Sequence, residues 1–302
     1  MDQGTDAQPD AGTDAGPVVG MSTAGQRGWD AIVADPGRAL VAIDYDGVLA
    51  PIVADPTQAV PAPGALAALQ RLAARVGTLA VVTGRPAVVA VELGGLDAVP
   101  GLVVEGQYGA ERWEAGELTT PADPPSVLAA KQTLPGALAA AGADPAVWVE
   151  DKRLALVVHT RQTADPDAEL VKLTPAVTAV AQAHGLEPHP GKLVVELRPP
   201  GFDKGGVLRR LAAGRHSSAV LFAGDDVGDL PGFEAVRALR AAGTPGLTVA
   251  SASPEAAAVA AAADVAVDGP AGIITLLTRL ADALGRPEDI PTRQSRPHGH
   301  AT

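Results

Sequence analysis

The sequence contains no cysteine among its 302 residues. Disulfide bonds, thiolate metal sites and cysteine nucleophiles are therefore excluded. Any metal ion would have to be bound by oxygen or imidazole ligands, which favours ions of the Mg²⁺ type. Aromatic residues make up only 3% of the chain, whereas 47% is hydrophobic, mostly alanine, valine and leucine. This composition is typical of helices packed on strands.

Long apolar runs and basic clusters are also missing. No apolar run reaches the roughly 18 residues that a membrane-spanning helix requires. The formal net charge is −12, which is unsuited to binding a nucleic-acid backbone. The acidic N-terminus lacks the charged and then apolar pattern of a signal peptide. We therefore expect a cytoplasmic enzyme without nucleic-acid, membrane or obligate protein partners.

The rest of the chain is organised around the stretch ALVAIDYDGVLAPI, residues 39–52. Its apolar run Ala39–Ile43 predicts a buried strand that ends at Asp44 and Asp46. If the extended conformation continues, these two carboxylates point the same way. Close carboxylates raise each other's pKa unless a cation lies between them. A divalent metal or one protonated acid would relieve the repulsion, and either predicts a reactive site; the alternative is a loop with two solvated acids.

Two further apolar strands end abruptly in polar residues. Thr78–Val82 is followed by Thr-Gly-Arg-Pro at residues 83–86, and Ala219–Ala223 by Gly-Asp-Asp-Val-Gly-Asp at residues 224–229. The strand–helix–strand order predicts parallel pairing, and ligands collect at the carboxyl ends of parallel strands. The hydroxyl and backbone amides at residues 83–84, with the start of the helix after Pro86, would suit an anion.

Lys204 occupies an unusual predicted position. Asp203 is expected to cap a helix over Lys204–Ala213, which places the lysine in the first turn. The helix dipole disfavours a cation there, so an anionic partner is expected. An ordinary surface lysine at a helix start is the alternative.

Taken in order, DYDGVL at residues 44–49, TGR at 83–85, Lys204 and GDDVGD at 224–229 resemble the four motifs of the haloacid dehalogenase (HAD) superfamily of phosphatases. The resemblance implies an α/β fold, with a Rossmannoid core built on a parallel sheet. It also implies a phosphatase with Asp44 as nucleophile and Asp46 as general acid and base. Phosphate would be bound by Thr83, Gly84, Arg85 and Lys204. A Mg²⁺ ion would be bound by Asp44, Asp46 and Asp225, with Asp226 and Asp229 next to these ligands but not coordinating the ion directly. Val48 departs from close phosphatase relatives, which often have threonine there, although the superfamily also allows valine.

The region of residues 114–195 has a different character. The second and third predicted strands of this region alternate between apolar and polar positions, as in a half-exposed antiparallel sheet. The predicted elements are helices Val127–Ala141 and Asp165–His184, a hairpin of Val147–Glu150 with Leu154–Thr160, and strands near Leu186–His189 and Leu193–Leu197. We interpret residues 113–197 as an α/β domain inserted into a core of residues 26–112 and 198–285. Residues 1–25 and 286–302 are predicted to be a disordered and a polar tail.

Four segments resemble the trehalose-phosphatase family: residues 44–52, GQYGAERW at 106–113, the Glu150-x-Lys152 pair with His159-x-Arg161, and VELRPPGFDKG at 195–205. In that family an inserted cap closes over the core and binds the sugar. The resemblance implies hydrolysis of trehalose 6-phosphate to trehalose and phosphate through an aspartyl-phosphate. Sugar contacts would come from Gln107, Arg112, Glu150, Lys152 and Glu196. Thr160 departs from the family, which usually has Tyr or Phe there.

Other interpretations of the sequence remain open at this point. The substrate could be another sugar phosphate, such as sucrose phosphate or glucosylglycerol phosphate. A phosphotransferase or mutase would move the phosphate to an acceptor, and a non-catalytic sensor would only bind it. Outside the family resemblance, Glu150 and Lys152 could simply be an exposed charged hairpin turn.

Overall fold

A computed structural model describes residues 20–53, 55–191, 193–252 and 257–285. The predicted tails lie outside these ranges, except that helix α1 already begins at Thr23, within the stretch predicted to be disordered. The helices are α1 Thr23–Ala34, α2 Ala65–Ala73, α3 Ala87–Gly94, α4 Pro125–Ala140, α5 Pro166–Ala183, α6 Lys204–Gly214, α7 Leu230–Ala241, α8 Ala257–Ala262 and α9 Gly269–Ala283. No helix in the described ranges is both long and apolar enough to cross a membrane.

The strands form two separate sheets. They are β1 Ala39–Ile43, β2 Thr78–Val82, β3 Val103–Gly106, β4 Glu111–Glu114, β5 Glu117–Thr119, β6 Trp148–Asp151, β7 Leu156–His159, β8 Glu187–Gly191, β9 Val194–Arg198, β10 Ala219–Gly224, β11 Gly246–Ala252 and β12 Val265–Asp268. The described strands of the large sheet lie in the order β12-β11-β10-β1-β2-β3-β4-β5. Those of the small sheet lie in the order β6-β7-β9-β8.

Strand β1 lies in the middle of the large sheet, as its apolar run predicts. All of its residues are buried. Val41 and Ile43 pack into one hydrophobic cluster and Leu40 and Ala42 into another, on the opposite face. A strand buried on both faces requires helices on both sides of the sheet, which explains why its sequence does not alternate with polar residues.

The register of the sheet places three polar segments at one edge. Ile43 of β1 is aligned with Ala223 of β10 and with Val81 of β2, and both pairings are parallel. The chain passes from β1 to β2 and β3 in one direction and later fills β10 to β12 in the other. The carboxyl end of β1 is thus a point where the strand order reverses, which is where open α/β sheets bind ligands.

The hairpin of β4 and β5 was not predicted from the sequence. It pairs antiparallel with β3 and extends the large sheet to Thr119, beyond the predicted core boundary at residue 112. Its short strands, ERWE and ELT, carry charged residues at most positions and no apolar run. A strand at the edge of a sheet needs little apolar surface, so hydrophobic patterning gives little sign of it.

The small sheet is antiparallel, and its predicted hairpin is confirmed by the pairing of β6 with β7. One face packs on helices α4 and α5 through Leu156, Val158, Val195 and Leu197. The other face carries the alternate residues, among them Glu150, His159 and Glu196. This second face is called the open face below.

Candidate active site

Asp44 is the first residue after β1 and lies almost fully buried. Its backbone N–H donates to the carbonyl of Ala223 at 3.0 Å, which ties it to the neighbouring strand β10. Burial raises the pKa of Asp44 well above its ordinary value; the charge of Lys204 opposes this shift, and the carboxylates of Asp229 and Asp225 add to it. A buried carboxylate in such surroundings needs a positive charge beside it.

Lys204 provides that charge. Its Nζ lies 2.9 Å from Oδ1 of Asp44 and 2.6 Å from Oδ1 of Asp229. As predicted, Asp203 caps α6, accepting a hydrogen bond from the N–H of Gly206 at 2.7 Å. Burial alone would lower the pKa of Lys204, but Asp229 and Asp44 outweigh it and raise the pKa well above its ordinary value. The lysine is therefore a permanent cation between two buried acids.

The acidic loop after β10 is folded around Asp229. Its Oδ2 accepts the backbone N–H of Asp225 at 2.9 Å and that of Asp226 at 3.2 Å. Gly224 is required here because a Cβ at that position would overlap the side chain of Asp229. Burial, followed by the charges of Asp229 and Asp226, raises the pKa of Asp225 to about 8.

Three of these carboxylates could share a metal ion. Asp44, Asp225 and Asp229 each offer an oxygen within 4.8 Å of the others, and all three residues are buried. Oxygen donors with this much negative charge suit Mg²⁺. The grouping differs from the predicted one, since Asp229 takes the place that was expected for the side chain of Asp46.

The carboxylate of Asp46 is paired with Arg85 instead. Arg85 donates from Nε to Oδ2 and from Nη2 to Oδ1, both at 2.7 Å. The side chain of Asp46 is 38% exposed, in contrast to the buried Asp44. Strand β1 ends at Ile43 and the chain bends at Tyr45, whose ring is fully buried and whose hydroxyl donates to the carbonyl of Ala59. The extended conformation assumed in the sequence is therefore lost before Asp46.

The Thr83–Gly84 loop lies next to this pair. The Oγ1 of Thr83 accepts the N–H of Arg85 at 3.1 Å, and its carbonyl accepts the N–H of Tyr108 at 2.9 Å. Gly84 has no room for a side chain, because a Cβ would lie 2.7 Å from the hydroxyl of Tyr108. The N–H of Ala87, at the start of α3, donates to Glu111 at 2.8 Å. The N-terminal end of α3 was expected to face an anion, and in the structure that position is taken by the carboxylate of Glu111. This contact was not predicted from the sequence.

Gln107 and Arg112, both predicted to contact a sugar, have different surroundings. Gln107 is buried with a positive φ of 45°, and its Oε1 has no hydrogen-bond partner among the described residues. Arg112 forms ion pairs with Glu105 at 2.9 Å and with Glu114 at 2.8 Å. The guanidinium of Arg112 is therefore engaged within the large sheet.

The three other predicted sugar contacts lie on the small sheet. Lys152 Nζ is 3.3 Å from Oε1 of Glu196 and 3.5 Å from the carbonyl of Gly84, so it bridges the two sheets. Glu150 lies 3.0 Å from Nε2 of His159. This hydrogen bond, with burial opposing it and the charge of Lys152 adding to it, lowers the pKa of Glu150.

Arg198 is a residue at this junction that sequence reasoning missed. Its guanidinium lies 3.7 Å from the centre of the Tyr108 ring and 3.8 Å from a carboxylate oxygen of Glu196. The signal was available, because residues two apart in a strand share a face, so Arg198 had to lie beside Glu196. A cavity of about 320 Å³ adjoins Arg198 and Glu196; its wall is mainly proline, alanine and the side chains of Leu154 and Phe202.

Comparisons with known proteins identify relatives of this chain. A model of the trehalose-phosphatase family matches residues 42–270. The trehalose-phosphate phosphatase of Mycobacterium tuberculosis is 33% identical over 258 residues, 81% of this chain and 61% of the relative. That of Mycobacterium avium is 34% identical over 262 residues, 82% of this chain and 63% of the relative. The chain thus spans about three fifths of the length of these relatives.

Solved structures show the same fold. The trehalose-6-phosphate phosphatase C-terminal domain of Candida albicans has a TM-score of 0.70 at 21% identity, over 88% of this chain and 99% of that one. A haloacid dehalogenase-like hydrolase from Bacteroides thetaiotaomicron has a TM-score of 0.58 at 16% identity, over 80% and 99%. The predicted HAD-like α/β fold is therefore confirmed.

Proposed function

The chain belongs to the trehalose-phosphatase family, and from this premise we propose that it is a Mg²⁺-dependent phosphatase that hydrolyses trehalose 6-phosphate to trehalose and phosphate. The observation that carries the proposal is the contact of Lys204 with Asp44, beside the buried carboxylates of Asp225 and Asp229. A sensor that only binds a sugar phosphate would not need a nucleophilic carboxylate paired with a buried lysine. The cytoplasmic location stays a prediction.

The first chemical step would be made by Asp44. One of its carboxylate oxygens attacks phosphorus while the bond from phosphorus to the sugar oxygen breaks, which leaves an aspartyl-phosphate. Lys204, with the backbone and hydroxyl of Thr83 and Gly84, would hold the phosphoryl oxygens during this transfer. A Mg²⁺ ion held by Asp44, Asp225 and Asp229 would supply positive charge that offsets both the acids and the phosphate.

Asp46 would serve both steps as the proton carrier. A sugar alkoxide is a poor leaving group, so Asp46 donates a proton to it as the bond breaks. The resulting carboxylate then takes a proton from the water that hydrolyses the aspartyl-phosphate. Proton transfer of this kind typically contributes about 10²–10⁴-fold to the rate. The two hydrogen bonds from Arg85 would hold the carboxyl group in place, and Arg85 could share its guanidinium with the phosphate.

The small sheet, with α4 and α5, would form the cap of the enzyme. Because β4 and β5 pair with the large sheet, we place the start of the cap after Thr119 and not at residue 113. The contact of Lys152 with the carbonyl of Gly84 supports this arrangement, because it connects the proposed sugar contacts on the small sheet with the proposed phosphate-binding loop after β2. Alternating acids and a cation at Glu150, Lys152 and Glu196 match the donors and acceptors of a disaccharide. The cavity beside Phe202 adjoins Glu196, but its wall is mainly proline, alanine, Leu154 and Phe202, so we do not place the hydroxyl groups of the sugar along that wall.

Release of inorganic phosphate tests the proposal. Trehalose 6-phosphate would be compared with glucose 6-phosphate, sucrose 6-phosphate and glucosylglycerol phosphate, each with and without Mg²⁺. We expect strong Mg²⁺-dependent release from trehalose 6-phosphate alone, and its loss in Asp44→Asn. The matched control is Asp97→Asn, which changes an exposed acid in the turn after α3. Preference for another substrate would overturn the sugar assignment, and transfer to an added acceptor sugar would indicate a phosphotransferase.

A further inference from the structure

Trp148 is the exposed tryptophan of this chain. Of the three tryptophans in the sequence, Trp29 is buried and Trp113 packs against the main core, whereas Trp148 is 41% exposed. It begins β6, which lies at the edge of the small sheet, so no strand in the described part of the chain pairs with its outer side. An exposed indole ring at a strand edge costs solvation free energy without adding to a core.

The indole is nevertheless held in one orientation. Trp148 is aligned with His159 across the β6–β7 pair, and their rings stack with centroids 3.9 Å apart and planes 6° apart. His159 in turn bonds through Nε2 to Glu150 at 3.0 Å. Trp148, His159 and Glu150 thus form a continuous patch with an aromatic surface next to a carboxylate, and we call it the stacking patch.

The stacking patch faces the candidate active site. Trp148 and Glu150 are two residues apart on one strand, so they share the open face, opposite to the face that packs on α4 and α5. The same face carries Glu196, whose partner Lys152 reaches the Gly84 carbonyl of the large sheet. Glu150 is also close enough to Arg85 for that charge to contribute to its lowered pKa.

We propose that Trp148, backed by His159, stacks against the sugar ring that does not carry the phosphate. This inference rests on the proposed function. Pyranose rings present an apolar C–H face that packs on aromatic rings, while carboxylates accept hydrogen bonds from the hydroxyls at the ring edge. Lys152 lies beside the Thr83–Gly84 loop, which is proposed to bind the phosphate. Moving away from that loop along β6, Glu150 comes next, and Trp148 lies about 7 Å beyond Glu150. That order matches a phosphorylated ring followed by a second ring.

Kinetics on two substrates test the stacking. Trp148→Ala should raise KM for trehalose 6-phosphate by about threefold to tenfold with little change in kcat, the range expected for loss of one aromatic contact. Trp148→Phe keeps a ring and should stay close to wild type. Neither variant should change kcat or KM for p-nitrophenyl phosphate, which is too short to reach the patch. Val171→Ala is the matched control, because it changes an exposed apolar side chain on the helix side of the same sheet.

Fluorescence gives a readout that does not depend on turnover. Trehalose, the proposed product, should change the tryptophan emission of the wild type and leave that of Trp148→Phe unchanged. Equal KM values for trehalose 6-phosphate in Trp148→Ala and wild type would overturn the stacking and leave the phosphatase assignment standing. A wild type that does not hydrolyse trehalose 6-phosphate would reject the proposed function instead; an emission that trehalose does not change would then overturn the stacking as well. A parallel loss of kcat on both substrates would indicate a structural role and also overturn it.

Discussion

Arg85 holds both carboxylate oxygens of Asp46, each at 2.7 Å. The pair is bidentate, which is the geometry that fixes a carboxylate in direction as well as in distance. Arg85 also donates to the carbonyl of Pro56 at 2.9 Å, so its own position is set by the loop that follows β1. The proposed proton carrier is therefore oriented by a residue from a different strand end.

Arg85→Lys should lower kcat strongly while changing the free energy of unfolding very little. Lysine keeps the charge but cannot make two parallel hydrogen bonds to one carboxylate. Because Asp46 is more than a third exposed, we expect the free energy of unfolding to change by less than about 1 kcal/mol. We expect kcat for trehalose 6-phosphate to fall by about 10- to 100-fold, as in the loss of an oriented acid. Urea unfolding and phosphate release measure the two effects, and an unchanged kcat would contradict the orienting role.

Asp46→Asn should reveal the two steps of the proposed reaction. Hydrolysis of trehalose 6-phosphate should fall by about 10²–10⁴-fold, because the sugar alkoxide needs a proton to leave. p-Nitrophenolate leaves without one, so the first step with p-nitrophenyl phosphate should persist while hydrolysis of the aspartyl-phosphate slows. Rapid-mixing absorbance should then show a burst of p-nitrophenolate close to one per enzyme molecule. Equal losses on both substrates without a burst would count against Asp46 as the acid.

Lys204→Met should destabilise the protein most in alkaline, metal-free buffer. The substitution leaves Asp44 and Asp229 buried without their cation, and loss of one partner of a buried ion pair costs about 3–5 kcal/mol. Acid conditions reduce this cost, because burial raises the pKa of Asp44 well above its ordinary value and its carboxylate can then take up a proton. Thermal melts at about pH 8.5 and about pH 6 measure the difference. The control Lys172→Met, which changes an exposed lysine that pairs with Glu169 on α5, should show no such pH dependence. For Lys204→Met, an equal loss of stability at both pH values would contradict the prediction.

Mg²⁺ should stabilise the protein more at high pH than at low pH. The pKa of Asp225 is about 8 in the folded chain against an ordinary 3.8, so the folded state holds a proton that the unfolded state releases. Metal-free stability is therefore greatest at the acid end of this window and falls as pH rises through it. Mg²⁺ and protons compete for the same carboxylates, so the rise in Tm on adding Mg²⁺ should be larger at about pH 8.5 than at about pH 6. Asp225→Asn should reduce the rise in Tm that Mg²⁺ causes. A rise in Tm that does not depend on pH would contradict the prediction and indicate that the ion binds elsewhere.

The sequence predicted the elements that hydrophobic burial determines. Strands β1 and β2 have the predicted bounds, because each is apolar at nearly every position and buried on both faces. Parallel register also brings strand ends together, and the structure places Asp44 close to Lys204 and to Asp225. The short, charged strands β4 and β5 at the edge of the large sheet lack this signal and were not predicted.

Side-chain direction was harder to predict than backbone position. Asp44 and Asp46 are two residues apart, and only the bend at the buried Tyr45 sends one to Lys204 and the other to Arg85. Arg112 was expected at the sugar; in the structure it pairs with Glu105 of the neighbouring strand β3 and with Glu114, two residues along β4. Spacing along the chain indicates the contact within β4, but it carries no information about the partner on β3.

The pairing of β1 with β10 joins segments that are distant along the chain. Asp44 and Asp225 are separated by roughly 180 residues, and contacts of such long range form slowly because the loop between them must first be closed. The small sheet, by contrast, is assembled from neighbouring segments. We therefore expect refolding from urea to regain the stacked Trp148 environment early and phosphatase activity only with the slowest phase. In a nascent chain, the proposed nucleophile Asp44 would emerge long before the strand that completes its surroundings.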